Sequence, residues 1–462
     1  MTDLHLDPSM RVHLIGVTGA GMSALARLLC ERGHPVTGSD LRAGPVTQAL
    51  TAMGATIHVG HEARHVDGAD LVVWSNAIPP SNPELARAAQ LGVPRVVRAD
   101  LLALLMVSSR RILVTGTHGK TTTTSMVTVA LRAAGLDPSF AIGGALQDGG
   151  ASAHHGEGGI FVAEADEAFR SFLRLTPDCA VVTNVEMDHH DEYADLGAVA
   201  DAFHAFLARR PPGGLALACA DDPGAAALLR RATRPTLSYG EHPHAEVRIN
   251  EVRLHPQGSA FRLDDRGEDL GEFHLRVLGR HNVRNAVAAV AATRWAGAEI
   301  EAVRAALGTF TGAQRRFQRV GEAWGVVVVD DYAHHPTEVS AVISAARQAR
   351  PTGRVIVVFQ PHLHSRTLAL GKELGSALAA ADLAVVTDVY GAREEPREGS
   401  DAEIVSDAAA AGGTEAHLVR SLDDAPAAVA ALARPGDLVL TLGAGTITEV
   451  GPKILALLGA AT

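Results

Sequence analysis

Thr115-Gly116-Thr117-His118-Gly119-Lys120-Thr121-Thr122-Thr123 follows a short apolar run, 111–114, and precedes a segment, 125–134, whose pattern is typical of a helix. The predicted order is strand, glycine-rich loop and helix N-terminus, in which backbone N–H groups and the helix dipole bind phosphate. Lys120 is one of only three lysines among 41 basic residues, and its compact ammonium suits a nucleotide phosphate under such a loop. The loop, G-x-x-G-K-T, is shorter than the G-x-x-x-x-G-K-[ST] pattern, so a plain strand-to-helix turn is the alternative.

Length and composition indicate a large globular α/β protein. A chain of 462 residues exceeds one hydrophobic core, and we expect three domains. The net charge of −11 argues against nucleic acid as the main partner. Cys30, Cys179 and Cys219 have no spacing typical of a disulfide framework or a thiolate metal site. With no signal-like start and no apolar run of about 18 residues, the sequence predicts a cytoplasmic protein without a membrane partner.

The first segment, 1–108, has a Rossmann-like opening. A strand at 12–15, a glycine turn at 16–21 and a helix at 22–31 are followed by a strand that ends at Asp40, a position suited to a carboxylate near a sugar hydroxyl. Ser75 and Asn76 follow another predicted strand, 70–74, at the sheet edge where ligands bind. Thr18 stands where a dinucleotide-binding motif has its second glycine, which favours another nucleotide or a purely structural turn.

Two more segments complete the predicted organisation. The central one, 109–315, carries the glycine-rich loop, and its predicted elements are strands at 159–163, 179–183 and 215–218, an antiparallel pair at 246–254 and 258–263, and a helix at 282–295. The last one, 316–462, has predicted strands at 325–329, 355–359, 384–387 and 438–442 with helical patterns between them. The prediction is therefore α/β, with Rossmann-like N- and C-terminal domains around a central P-loop ATPase-type domain.

Polar side chains cluster after several predicted strands. Glu164 and His189, together with the hydroxyl of Thr121, would give Mg²⁺ the sparse oxygen-rich shell that it accepts beside nucleotide phosphates. A solvated loop at 188–191 is the alternative. In the last segment, two strands release histidine-bearing loops, 330–338 and 359–367, which indicates a site at that sheet edge. For Asn282, a simple helix N-cap is the alternative to a binding role.

These residues resemble the Mur ligases of peptidoglycan synthesis, most specifically at 116–124, 330–338 and 359–367, and the likeness covers nearly the whole chain. The resemblance implies an ATP- and Mg²⁺-dependent ligase whose three domains bind UDP-sugar, ATP and amino acid. The branch that it fits takes UDP-N-acetylmuramate and L-alanine as partners. There, the lactyl carboxylate would accept the γ-phosphoryl group of ATP, and the amine of L-alanine would attack the resulting acyl phosphate.

The resemblance also implies roles for individual residues. ATP would bind at Gly116, Thr117, His118, Gly119, Lys120, Thr121, Thr122, Asn282, Asn285, Arg316 and Asp331. The UDP-sugar would bind at Gly19, Ala20, Gly21, Met22, Asp40, Ser75 and Asn76. The amino acid would bind at Tyr332, His334, His362 and Arg366, and Mg²⁺ at Thr121, Glu164 and His189. The catalytic set would be Lys120, His189, His334, His335 and Arg366, with the acceptor of the amine proton open between His334, His335 and water.

The sequence departs from the family pattern at Thr18, at Ala168-Phe169 in place of Ser-Asp, and at Leu363-His364 in place of Arg-Tyr. The central segment has no lysine besides Lys120, which excludes the carbamylated lysine of several Mur ligases. Three other functions compete with the alanine ligase: a murein tripeptide ligase, a nucleotide-regulated binding protein and an NAD-dependent oxidoreductase. We expect a monomer or a weak homodimer.

Overall fold

The computed structural model describes residues 4–147, 150–392 and 394–460. They form two compact units: the first holds the chain up to 185 with 197–247 and 288–306, and the second holds 186–196, 248–287 and 307 onward. Helices alternate with largely parallel sheets, so the predicted α/β architecture is confirmed. The domain boundaries at 108/109 and 315/316 stay a prediction.

The first unit begins with a five-stranded parallel sheet, as the Rossmann-like opening predicted. Its strands are β1 Val12–Ile15, β2 Val36–Asp40, β3 Thr56–Val59, β4 Leu71–Trp74 and β5 Arg95–Val97, and its helices are α1 Ala20–Glu31, α2 Pro45–Ala52, α3 Pro83–Leu91 and α4 Arg98–Leu105. The strand order is β3-β2-β1-β4-β5. Since the order reverses between β1 and β4, the loops that follow these two strands flank a crevice of the kind that binds ligands.

The glycine-rich loop lies in a second sheet of the same unit. Its elements are β6 Arg110–Thr115, α5 Lys120–Ala133, β7 Ser139–Ala141, β8 Ala153–His154, β9 Ile160–Glu164, β10 Cys179–Val182, α6 Leu196–Ala208, β11 Leu215–Cys219, α7 Pro223–Arg231 and β12 Thr236–Gly240. The strand order is β12-β11-β10-β6-β9-β7-β8, and β8 alone among these strands is antiparallel to its neighbour. Central placement of β6 puts the loop between the ends of β9 and β10.

One boundary near the loop was predicted wrongly. Helix α5 begins at Lys120 rather than near residue 125, so the four consecutive threonines lie in its first turns. Their β-branched side chains lower helix propensity, which is why the sequence pattern favoured a later start. All four are buried, and the Thr124 hydroxyl donates to the Lys120 carbonyl, so tertiary packing overrides the local preference.

The remaining elements belong mainly to the second unit. They are β13 Val247–His255, β14 Gly258–Asp265, β15 Glu268–Leu275, α8 Arg280–Ala296, α9 Ile300–Thr309, β16 Gln318–Ala323, β17 Val326–Asp331, α10 Pro336–Ala349, β18 Val355–Phe359, α11 His364–Leu378, β19 Leu383–Val386, α12 Glu403–Ala411, β20 Glu415–Leu418, α13 Ala425–Leu432, β21 Leu438–Leu442 and α14 Val450–Ala460. The predicted antiparallel pair gains a third strand, β15, which pairs with β14.

The C-terminal sheet has the order β16-β17-β21-β18-β19-β20, with β16 antiparallel to β17. It is hydrophobic on both faces: Val327 and Val329 pack with one apolar cluster, and Val326 and Val328 with another. Such double-sided burial is typical of strands between two helical layers. The polar residues that follow β17 and β18 therefore emerge at one edge of a buried sheet.

All three cysteines are free, with Cys179 and Cys219 buried and Cys30 partly exposed. The prediction of no disulfide framework is confirmed. No helix in the described ranges has the length and apolar character to cross a membrane.

Candidate active site

The glycine turn after β1 lines a cavity of about 260 Å³ in the first unit. Gly19, Ala20, Gly21 and Met22 form one wall, and Ser75, which follows β4, forms another. The sheet topology thus brings these predicted UDP-sugar residues together. Further lining residues, which the sequence did not single out, are Arg98, Ile142, Gly143 and Asp166; Glu164 also lines the cavity.

Asp40 and Asn76 lie outside the lining of this cavity. The Asp40 carboxylate accepts hydrogen bonds from the Thr18 amide at 2.9 Å and the Thr18 hydroxyl at 2.6 Å. These two bonds hold the glycine turn against the end of β2. Asn76 is exposed in the turn that follows β4.

The glycine-rich loop is tightly seated between β6 and β10. Gly116 has φ +133°, and a Cβ there would come within 2.0 Å of the Thr183 hydroxyl, so only glycine fits. The Asn184 side chain accepts a hydrogen bond from the His118 amide at 2.8 Å. The loop is thus fixed ahead of α5, whose first turn has no acidic side chain to compete with a bound phosphate.

Lys120 is held within this loop. Its Nζ donates to the Gly116 carbonyl at 2.6 Å and to Glu167 at 2.9 and 3.1 Å. Burial alone would lower the pKa of Lys120, but the neighbouring carboxylates of Glu167 and Asp166 raise it above its usual value. The ammonium is therefore charged. Glu167 was not predicted as its partner because no local pattern distinguishes it from its acidic neighbours.

Thr121 and Glu164 fit a magnesium site. The Thr121 hydroxyl lies 3.2 Å from Glu164 Oε2, close to the roughly 3 Å between adjacent oxygen ligands of an octahedral Mg²⁺ with bonds of about 2.1 Å. Glu164 also accepts a hydrogen bond from the Gly143 amide, which fixes the carboxylate. Both are hard oxygen donors beside the phosphate loop, as Mg²⁺ requires.

In the second unit, the loop 186–196 is tied to the histidine loops of the C-terminal sheet. Arg366 donates to the Asp188 carboxylate through Nη2 at 2.9 and 3.2 Å and through Nε at 3.1 Å, and Arg366 and Asp188 side chains are 5% and 8% exposed. Burial would raise the pKa of Asp188, but Arg366 and the nearby histidines hold it well below its usual value. Arg366 Nη1 also lies 3.2 Å from His362 Nδ1. His189, the residue after Asp188, has a left-handed backbone conformation with φ +52°.

His334 and His335 differ in how their ring nitrogens are hydrogen-bonded. His334 Nδ1 lies 2.8 Å from the Tyr332 carbonyl, which can only accept, so Nδ1 carries the hydrogen and Nε2 keeps its lone pair. Burial and Arg366 lower the pKa of His334 to about 4, against opposing effects of Glu338 and Asp188. The His335 ring instead caps α10 through Nδ1 and donates from Nε2 to the Met187 carbonyl at 3.2 Å.

The aromatic rings of this site form a continuous row. Tyr332 contacts His334 with centroids 5.4 Å apart, His334 contacts His362 at 5.9 Å, and His362 stacks on Tyr390 at 5.8 Å. Arg316 lies 5.3 Å from the Tyr332 ring centroid. The structure thus brings the predicted amino-acid residues together and adds Tyr390, which comes from a distant strand end.

Of the predicted nucleotide residues in the second unit, Asn282, Asn285 and Asp331 are buried and Arg316 is partly buried. Asp331 accepts from the amides of Phe317 and Ala333. Asn285 donates to the Asn282 side chain at 3.1 Å, and Asn282 donates to the Leu278 carbonyl at 2.7 Å. Since α8 begins at Arg280, the alternative that Asn282 is its N-cap is wrong.

Comparisons with known proteins agree with this geometry. Three family models match: "Mur ligase family, catalytic domain" at residues 11–110, "Mur ligase middle domain" at 114–293 and "Mur ligase, glutamate ligase domain" at 315–445. The UDP-N-acetylmuramate–L-alanine ligase of Streptomyces avermitilis is 49% identical over 449 residues, covering 96% of this chain and 97% of that protein. The chain belongs to the Mur ligase family.

Two further matches support this Mur ligase assignment. The UDP-N-acetylmuramate–L-alanine ligase of Rubrobacter xylanophilus is 47% identical, covering 97% of this chain and all of that protein. The crystal structure of the UDP-N-acetylmuramate-alanine ligase MurC of Thermotoga maritima has a TM-score of 0.83 at 27% identity, covering 98% of this chain and 100% of that chain. The resemblance inferred from the motifs is confirmed.

The departures from the Mur ligase pattern have distinct structural settings. Thr18 binds Asp40. Phe169 has φ +53° and is 41% exposed. Leu363 has φ +71° at the start of α11, and the His364 ring lies 2.8 Å from the Ser400 hydroxyl. Two of the three departures therefore coincide with left-handed backbone, a strained conformation for these side chains.

Proposed function

We propose that this Mur ligase joins L-alanine to the lactyl carboxylate of UDP-N-acetylmuramate, with conversion of ATP to ADP and phosphate. One observation carries the proposal: the charged, partly buried Lys120 lies at the start of α5 beside the Thr121–Glu164 pair. That constellation suits transfer of a phosphoryl group, and relatives named for the alanine ligase match the chain almost end to end. We further propose that the protein acts in cytoplasmic peptidoglycan precursor synthesis, as a monomer or weak homodimer.

The first step transfers the γ-phosphoryl group. A lactyl carboxylate oxygen attacks the γ-phosphorus, the bond to ADP breaks, and an acyl phosphate forms. The amides of the loop and the Lys120 ammonium stabilise charge on the phosphoryl oxygens, and Lys120 must redirect one of the N–H donors that bind Gly116, Thr117 and Glu167 in this structure. Mg²⁺ bound at Thr121 and Glu164, with His189 as a proposed third ligand, would supply further neutralisation of that charge.

The second step forms the amide. The alanine nitrogen attacks the acyl carbon, phosphate leaves, and the nitrogen loses a proton. We assign His334 Nε2 as the proton acceptor because its Nδ1 is committed to the Tyr332 carbonyl and its low pKa keeps the ring neutral. His335 is less suited, since both of its ring nitrogens have partners within the second unit.

Binding roles follow the same geometry. We propose that Gly19, Ala20, Gly21, Met22 and Ser75 hold the UDP-sugar in the cavity that they line, and that Asp40 and Asn76 are further binding residues for it. Asn282, Asn285, Asp331 and Arg316 are proposed for ATP, and Tyr332, His362 and Arg366 for L-alanine. Because Arg366 is bound by Asp188 in this structure, an alanine carboxylate would have to share that guanidinium.

The test is phosphate release from ATP and Mg²⁺ with UDP-N-acetylmuramate, measured with and without L-alanine. We expect release to depend on alanine and to fall at least about 10²-fold in Lys120→Ala, as removal of a preorganised charge predicts. Lys372→Ala, an exposed position on α11, is the matched control and should retain activity. ATP binding without alanine-dependent release would refute the alanine ligase and direct the assay to a tripeptide acceptor.

A further inference from the structure

A glutamine near the end of α10 binds two other segments of the second unit through its side chain. Gln348 Nε2 donates to the His255 carbonyl at 2.9 Å and to the Gly258 carbonyl at 2.7 Å. Gln348 Oε1 accepts a hydrogen bond from the Gly279 amide at 2.9 Å. Both hydrogens and the oxygen of this partly buried carboxamide are therefore used. One side chain of α10 thus ties the β13–β14 hairpin to the loop that precedes α8.

The two contacts with the hairpin lie on either side of its turn. His255 is the last residue of β13 and Gly258 is the first residue of β14, so the two hydrogens of Gln348 Nε2 span the turn. A Cβ at Gly258 would overlap the Leu275 carbonyl, which shows that the start of β14 lies closely against the end of β15. The hairpin is therefore a firm support, and Gln348 holds Gly279 at a fixed position relative to it.

The Gly279 amide belongs to the same peptide group as the Leu278 carbonyl. That carbonyl accepts a hydrogen bond from Asn282 Nδ2 at 2.7 Å. Because a peptide group is planar, the bond between its N–H and Gln348 also sets the direction in which its carbonyl meets Asn282. The Asn282 side chain in turn accepts a hydrogen bond from Asn285 Nδ2 at 3.1 Å. A chain of three hydrogen bonds therefore runs from Gln348 to both asparagines that we propose for ATP.

Gly279 gives this peptide group little stiffness of its own. It has φ +91°, a conformation that glycine adopts without strain, and glycine has the largest backbone freedom of any residue. The Gly279 carbonyl accepts from the Asn282 amide at 3.0 Å, which fixes the side of Gly279 that leads into α8. The bond to Gln348 fixes the other side. Without it, the peptide group between Leu278 and Gly279 would be free to rotate away from Asn282 while α8 stayed in place.

We propose that Gln348 is a positioning residue for ATP, which holds the carboxamides of Asn282 and Asn285 in the orientation that binds the nucleotide base. This inference rests on the proposed function and adds to it a residue that acts through the peptide group between Leu278 and Gly279. A carboxamide pairs with an adenine edge through one donor and one acceptor, so its rotation lowers affinity directly. The alternative, that Gln348 only stabilises the packing of α10 on the hairpin, is separated by the experiment.

The experiment compares wild type, Gln348→Met and Gln348→Glu by calorimetric titration with a non-hydrolysable ATP analogue and Mg²⁺ and, separately, with UDP-N-acetylmuramate. Methionine has a similar shape without the amide, whereas glutamate keeps an oxygen for the Gly279 amide and loses both donors to the hairpin. We expect Gln348→Met to weaken the ATP analogue about 3- to 10-fold, the range for a lost hydrogen bond, and to leave UDP-N-acetylmuramate unaffected. Gln348→Glu should recover part of the ATP affinity. In turnover, KM for ATP should rise in Gln348→Met while kcat changes less than about twofold.

Gln90→Met, the same change at an exposed position on α3, is the matched control and should leave both affinities unchanged. Unchanged ATP-analogue affinity in a normally folded Gln348→Met would overturn the proposal. So would equal losses in Gln348→Met and Gln348→Glu, which would assign the effect to the hairpin bonds, or equal weakening of the ATP analogue and UDP-N-acetylmuramate, which would indicate general damage. Absence of ATP-analogue binding by wild type would instead refute the proposed function.

Discussion

Glu84 in the first unit and Asp331 in the second are both buried carboxylates, yet their surroundings shift their pKa values in opposite directions. Burial would raise the pKa of Glu84, but contacts with His13, Ser39 and His65 lower it to about 2. Burial raises the pKa of Asp331 to about 6, although Arg316 and the amides of Phe317 and Ala333 oppose the shift.

The difference lies in how completely each charge is compensated. Ser39 and His61 contact one oxygen of Glu84 at 2.7 and 2.9 Å, and His65 contacts the other at 2.9 Å. Asp331 has two backbone amides and a more distant guanidinium. A carboxylate with a full set of donors stabilises its own domain, whereas one buried with too few can gain from a ligand that donates.

Removing the charge of Glu84 should have the largest effect. Glu84→Gln is expected to lower the free energy of unfolding by about 3 kcal/mol at neutral pH, from the shift between pKa 4.5 and about 2. Because the folded pKa is depressed, this contribution is complete above pH 4.5 and is lost as pH falls toward 2. Denaturant unfolding at several pH values measures it.

Glu62→Gln is the control for this variant, since Glu62 forms an exposed ion pair with Arg64 and should change stability by less than about 0.5 kcal/mol. Equal losses in the two variants, or a Glu84→Gln loss independent of pH, would show that the histidine cluster does not stabilise an ionised Glu84.

The contribution of Asp331 to stability should change with pH in the opposite direction to that of Glu84. Its folded pKa lies above its unfolded value of 3.8, so wild type loses stability as pH rises from about 4 to 6. Asp331→Asn should remove this loss, worth about 2 to 3 kcal/mol. The stability difference between variant and wild type, followed over pH 4 to 7, measures it; a difference that stays constant would mean that Asp331 is ionised throughout.

The sequence predicted those parts of the structure that a local pattern determines. The glycine-rich loop, β1, β18 and β21 were predicted because strand periodicity and glycine turns are short-range features. The start of α5 was missed, since burial of its threonines overrides propensity. The resemblance placed Asp331 in a recognisable loop.

The residues that were missed depend on tertiary contacts. Glu84 is surrounded by side chains from β1, from β2 and from residues 61–65. Arg98 follows a three-residue strand that no periodicity marks, and its position against Gly21 appears only in the fold. Asp188 and Arg366 are 178 positions apart. No local pattern reports such pairs, so their roles became visible only in the fold.

Glu84 and Asp331 should also differ in their effect on ATP affinity, and this effect should be smaller than the two effects on stability. If Asp331 accepts hydrogen bonds from the ATP ribose, Asp331→Asn should weaken ATP binding by about tenfold, or about 1.4 kcal/mol. Glu84→Gln, measured while folded, should bind ATP as wild type does. Fluorescent ATP-analogue titration tests both variants, and equal weakening in the two would remove the functional distinction between them.

Asp40 extends the comparison to a partly exposed carboxylate, where the smallest effect is expected. Its donors are the amide and hydroxyl of Thr18 and the amide of Leu41, so Thr18→Val removes one of three bonds and keeps the side-chain shape. Solvent can replace the lost donor, and we expect a loss of about 1 kcal/mol in unfolding free energy. Thr18→Ser, which keeps the hydroxyl, should lose much less. If Thr18→Val were as stable as wild type, the hydroxyl would contribute nothing to the turn, and compensation by donors would matter only for carboxylates as deeply buried as Glu84.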